Sequence, residues 1–112
     1  MTKSKAEDPL FSALLAQARL RNPDVWAGAM FRSLAVFVGR KMAACVLDGK
    51  IGLRVPAALA SAGLLCGRAR PFRPYGKAPM REWIEIDGAK LIEQGGLLTE
   101  AIAFAGWNNL AR

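Results

Sequence analysis

The chain of 112 residues contains no histidine, only two cysteines and a single tyrosine, and its 9 carboxylates are outnumbered by 16 cations. Each shortage excludes a kind of chemistry. Without histidine the commonest general base is missing, along with Ser-His and Cys-His pairs and ordinary zinc sites. Two cysteines cannot staple a disulfide scaffold, so both are expected to be reduced thiols in a cytoplasmic protein. The longest uncharged run, Val55–Gly67, is well short of the roughly 20 residues a membrane-spanning helix needs. Lys3 and Lys5 are followed too closely by Glu7, Asp8 and Pro9 to open a secretory signal. Neither a Gly-x-Gly-x-x-Gly nor a phosphate-loop pattern occurs. The expectation is a protein that is not an enzyme, with no catalytic, cofactor-binding or metal-binding residues.

What is present suits one packed domain over residues 1–112, with 1–7 as a flexible polar tail. Hydrophobic residues make up 53% of the chain, which argues against disorder, and the net charge of +7 favours anionic partners. Asp8-Pro9 predicts a helix start, and the spacing of Leu10, Phe11, Leu14, Leu15 and Ala18 continues it from Pro9 to Leu20. A three-stranded meander follows, with strands at Ala29–Val38, Lys41–Leu47 and Lys50–Val55. Asp48-Gly49 forms its second turn. Ile51, Leu53 and Val55 alternate with Gly52 and Arg54, giving one buried face and one wet face. Pro56–Leu65 predicts a second helix, with Leu59, Leu64 and Leu65 toward the sheet and Gly67 just beyond its end. Arg81–Asp87 is a fourth strand, with Ile84 and Ile86 on one face. Asp87 then caps a short turn, Ala89–Gln94, which Gly95-Gly96 ends, and a last helix spans Leu97–Trp107. The order α-βββ-α-β-α predicts an α+β domain: a single antiparallel sheet, made of the meander and a further strand, with helices packed on it.

The most distinctive stretch is Arg68–Arg81. It holds five cations and no anion, three prolines (Pro71, Pro74, Pro79), and two aromatics, Phe72 and Tyr75. Candidate anion- or partner-binding residues are therefore Arg68, Arg70, Phe72, Arg73, Tyr75 and Lys77. On nucleic acid the cations would hold phosphates while Phe72 and Tyr75 stack on bases. Five cations on duplex phosphates imply a log K against log salt slope of about −4.5. The bland alternative is a solvated connection whose prolines and aromatics fix its course over the sheet.

Three other features have two readings each. Cys66, near Arg68 and Arg70, is either a thiol activated by cations or inert packing at a helix end; Cys45, inside an apolar strand, is packing. Glu82, Glu85 and Asp87 are either an acid–base group or a solvated face that balances Arg81. Trp83, opposite the isoleucines of its strand, either covers a second hydrophobic layer or lies in an interface.

Several of these residues also carry a family resemblance. Met30-Phe31, Phe37, Gly39-Arg40, Lys41-Met42 and Leu53-Arg54 fall in order through Met30–Pro56. Gly76-Lys77, Met80 and Trp83 then lead into a strand, and Ala103-Phe104-Ala105 lies in the last helix. In this order and spacing the chain resembles the N-terminal domain family of TfoX (Sxy) over about Asp24–Ala105, as a stand-alone single-domain member. It departs in carrying Arg32-Ser33 where that family has Gly-Gly. The resemblance implies a small α/β module without established catalytic residues, acting through protein–protein contacts in transcriptional or competence-type regulation. The alternative is a nucleic-acid-binding accessory protein using the basic loop 68–81. The exposed strand edges of such a sheet also invite a homodimer.

Overall fold

A computed structural model of the chain describes residues 8–30, 33–73 and 81–110. Among these residues there are three α-helices and one antiparallel sheet of six strands in the order β1-β2-β3-β4-β6-β5. The helices are α1 (Pro9–Arg21), α2 (Ala57–Leu65) and α3 (Gly95–Leu110). The strands are β1 (Trp26–Met30), β2 (Ser33–Val38), β3 (Lys41–Leu47), β4 (Lys50–Arg54), β5 (Arg70–Pro71) and β6 (Trp83–Asp87). The α+β class and the single antiparallel sheet agree with the sequence expectation; the strand count does not.

Two strands were not anticipated. Met30 lies opposite Ser33, so the expected strand Ala29–Val38 is divided between two arms of a hairpin: Ala29 and Met30 end the first arm, which begins at Trp26, and Ser33–Val38 is the second. Trp-Ala-Gly-Ala-Met lacks the β-branched alternation that marks a strand. Only pairing with β2, Trp26 opposite Phe37 through Met30 opposite Ser33, makes it one. β5 is two residues long and is defined by Arg70 lying opposite Glu85.

The helices lie on one face of the sheet over the main core. Asp8 caps α1 by accepting from the Leu10 and Phe11 amides, which satisfies amides that have no partner within the helix. Phe11, Leu14 and Ala18 then face the sheet. Ile51, Leu53, Val55, Ile84 and Ile86 supply the sheet side of this core and are all buried. A bulge between Val36 and Phe37 puts both Ala43 and Ala44 on that side. Arg21 ties α1 to α3 by donating to the Thr99 hydroxyl at 2.7 Å and to the Gly95 carbonyl at 3.3 Å.

The Asp48-Gly49 turn forms as expected, with φ of 52° and 76°. Three local expectations are corrected. Gly95-Gly96 opens α3 rather than ending the preceding turn. Asp87 does not cap the 3-10 turn Gly88–Lys90 through its side chain, because its carboxylate is engaged by Arg70. Of the three leucines expected to face the sheet from α2, only Leu59 packs on the core. Leu64 is 39% and Leu65 89% exposed. α2 approaches the sheet through Ala60 and Gly63 instead, a small-residue contact that leaves the later leucines outside.

The second face of the sheet carries its own smaller core of Ala35, Phe37, Cys45, Phe72 and Trp83. This face is therefore not uniformly wet. Gly52 is buried under Phe72, and a Cβ there would meet the Phe72 ring at 2.8 Å and the Cys45 sulfur at 3.1 Å. The missing side chain at 52 lets the ring lie directly on the sheet.

Candidate binding surface at the basic edge

The basic stretch begins where α2 stops. Gly67, at φ +77°, is the left-handed residue that ends the helix. The amide of Gly67 donates to the Leu64 carbonyl and that of Arg68 to the Gly63 carbonyl, which closes a Schellman motif. This fixes where Arg68 leaves the helix and delivers Arg70 to the edge of the sheet. Arg68 also sits at the helix end that favours a cation.

The structure separates the six predicted site residues. Arg68 and Arg73 are exposed, and neither is paired with a carboxylate among the described residues. Arg70 is exposed but engaged: it donates to Glu85 at 3.3 Å and to Asp87 at 2.7 Å. Phe72 is 1% exposed, tilted against Trp83 with ring centroids 5.3 Å apart. The reading of Phe72 as a stacking platform for bases is therefore corrected. A ring seated on Gly52 and Trp83 has no face to offer. Tyr75 and Lys77 lie outside the described residues, as does Met80.

The carboxylates also find different partners from the one expected. Glu85 and Asp87 share a strand face and answer Arg70, with Lys50 at 3.9 Å from Asp87. Glu82 pairs with Arg54 at 2.8 Å, and Arg54 in turn lies over the Phe104 ring at 5.2 Å. Glu85 and Asp87 thus form a ladder of opposite charges across β4, β6 and β5 with Lys50 and Arg70. The Arg70 guanidinium, by hydrogen bond and charge, holds the Asp87 carboxyl below its usual 3.8. A lowered carboxyl pKa stabilises the fold above the ordinary value, and that contribution disappears as pH falls through the lowered one. Asp87→Asn should therefore flatten the acid side of a melting temperature against pH curve below the ordinary carboxylate range. The effect should be small because the pair is half-exposed.

Sequence reasoning missed the groove beside this edge. A cavity of about 560 Å³ is lined by Arg54, Ala57, Arg81, Glu82 and Trp83. An adjoining one of about 240 Å³ adds Ala60, Ser61, Leu64 and Pro71 and shares Ala57, Arg81 and Trp83 with the first. The two form one channel between α2 and β6. Leu64 and Pro71 line its apolar end, and Arg81 is an exposed cation with no carboxylate partner among the described residues. The sequence signal for the groove is Leu64, an apolar residue in the last turn of α2 that lines it instead of packing on the core.

Cys66 is exposed and in no disulfide among the described residues, its thiol 3.6 Å from the Gly63 carbonyl. Cys45 is fully buried. Among the described residues no group of three or more His, Cys, Asp or Glu side chains could hold a metal ion. No helix among them is long and apolar enough to cross a membrane. No protein-family model matches the chain, and neither does any curated protein.

Proposed function

We propose that this chain is a non-catalytic binding module whose α2–β6 groove takes an acidic, apolar-containing segment of a protein partner. The observation that carries this reading is the make-up of the groove. Leu64 and Pro71 line one end, Trp83 is shared by both halves, and Arg81 stands unpaired in both among the described residues. Arg68 and Arg73 add charge at the adjoining edge. Apolar anchors next to cations suit a peptide with carboxylates and aliphatic side chains. The resemblance to TfoX N-terminal domains supports a regulatory setting of the transcriptional or competence type.

The nucleic-acid reading keeps Arg68 and Arg73 but loses two of its elements. Phe72 is core, and the Arg70 charge is already matched by Glu85 and Asp87. Capture from native extract by the immobilised chain separates the two readings. A protein retained after exhaustive nuclease treatment, and lost with Arg68→Glu/Arg73→Glu/Arg81→Glu, is the expected result. If everything retained disappears with nuclease, the partner is nucleic acid and the proposal fails.

A further inference from the structure

The two edges of the sheet are built in opposite ways. β5 is two residues long, and it consists of an arginine and a proline. Shortness, charge and proline are each devices that stop an edge from pairing with another strand. β1, at the other edge, has none of them. It is five residues long, Trp-Ala-Gly-Ala-Met, with no charge and no proline. Among the described residues it pairs with β2 alone. Every second residue therefore directs its N–H and C=O away from the sheet. Ala27 and Ala29 are exposed, and at these two positions the strand carries only a methyl group.

The edge is also held rigid. The Trp26 indole N–H donates to the Gly39 carbonyl at 2.9 Å. Its ring stacks on Phe37 at 4.5 Å and 15° while remaining 46% exposed. A Cβ at Gly28 would meet the Phe37 ring at 2.7 Å, so the glycine keeps strand and ring in contact. An immobilised, half-exposed tryptophan beside a free strand edge contributes contact area at little entropic cost.

We propose that β1 is a self-association edge: two copies pair β1 to β1, antiparallel, about a twofold axis, and so join their six-stranded sheets into one. A second copy suits this edge better than a different partner because of the charge distribution. An uncharged strand meets itself without repulsion in an isologous contact, although each chain carries +7. Arg68, Arg70 and Arg73 lie at or beside the far edge, five strand spacings away. In the dimer the two basic edges stand on the order of 50 Å apart, many times the roughly 8 Å screening length at physiological salt. The dimer would present two outward-facing copies of the basic edge. A short strand and one indole cover less than the ~800 Å² per partner of a standard interface, so the dimer is expected to be weak.

Sedimentation equilibrium over a micromolar to sub-millimolar concentration series tests this. The wild-type chain should shift with concentration from 12.1 kDa to twice that mass, and Ala27→Lys/Ala29→Lys should remain at the monomer mass. A wild-type chain that is monomeric throughout, or a double variant that dimerises as well as wild type, overturns the proposal. Hydrogen exchange of the wild-type chain gives a reading independent of whether the variant folds. Amides of Trp26–Met30 should exchange more slowly as concentration rises, and those of β5 should not change. Exchange of β1 that is independent of concentration also overturns it. Neither result bears on the α2–β6 groove, so the two proposals fail separately.

Discussion

Phe72→Ala should lower the unfolding free energy by about 3–5 kcal/mol, the cost of deleting a fully buried aromatic ring. Phe72 has the largest side chain among the most deeply buried residues. It fills the space over Gly52 and packs on Trp83. Few neighbours can close the gap. A glycine has no side chain to move, and Trp83 is fixed in a strand between β4 and β5. Urea denaturation read by tryptophan fluorescence would report the loss as a lower midpoint with little change in slope. The folded fraction of the variant should bind its partner as wild type does. A small stability change together with a large loss of nucleic-acid affinity would instead return Phe72 to the role of a stacking residue.

The two cysteines should differ in labelling rate by at least ~10³-fold in the native protein at neutral pH. Cys66 is exposed and should react as an open thiol. Cys45 is fully buried between Ala35 and Gly52 on the second face. It becomes reachable only when the fold opens, at a cost of ~5 kcal/mol or more for a typical domain. Burial also pushes its thiol up from 9.0 to about 11, an effect only partly offset by hydrogen bonds with the Gly52 backbone and Ser33. The raised value means that the folded state keeps a proton that the unfolded chain releases. The resulting stabilisation is complete below pH 9 and is lost as pH rises toward 11. The loss is on the order of 3 kcal/mol. Cys45→Ala should remove this alkaline decline from a stability–pH profile, while Cys66→Ala should leave it in place. Equal labelling of the two thiols would show that the second face is open.

Much of the fold was legible in local chemistry. Asp8-Pro9, Asp48-Gly49 and Gly67 each need a particular backbone conformation or cap, and each sits where the residue type predicts. The alternation of Ile51, Leu53 and Val55 and of Ile84 and Ile86 marked the main core face correctly. What escaped was set by pairing between distant segments. β1 is a strand because β2 is beside it, and Arg70 is an edge residue because Glu85 lies opposite. Nothing within Arg68–Arg73 distinguishes Phe72, which turns inward over a glycine twenty positions earlier, from an aromatic that faces solvent. The same non-local pairing placed Glu85 and Asp87 against Arg70 and Lys50, rather than against the nearby Arg81.

These corrections change the character of the candidate site. A loop of alternating cations and aromatics suggested a surface for phosphates and bases. With Phe72 buried and the Arg70 charge matched, what remains is a groove with Leu64 and Pro71 at its apolar end and Arg81 in its lining, with Arg68 and Arg73 flanking β5; among the described residues none of the three is paired with a carboxylate. Apolar side chains at such a site contribute to protein recognition and nothing to phosphate contact.

That difference gives the most direct test. The affinity of wild-type chain, Leu64→Asp and Arg68→Glu/Arg73→Glu for the captured partner should be compared at one moderate salt concentration. Leu64 is partly exposed and outside the core, so the aspartate should leave the fold intact. A protein-recognition groove predicts that Leu64→Asp weakens binding at least tenfold, comparable to the double charge reversal. Binding that survives Leu64→Asp unchanged while the arginine variant abolishes it would contradict the account.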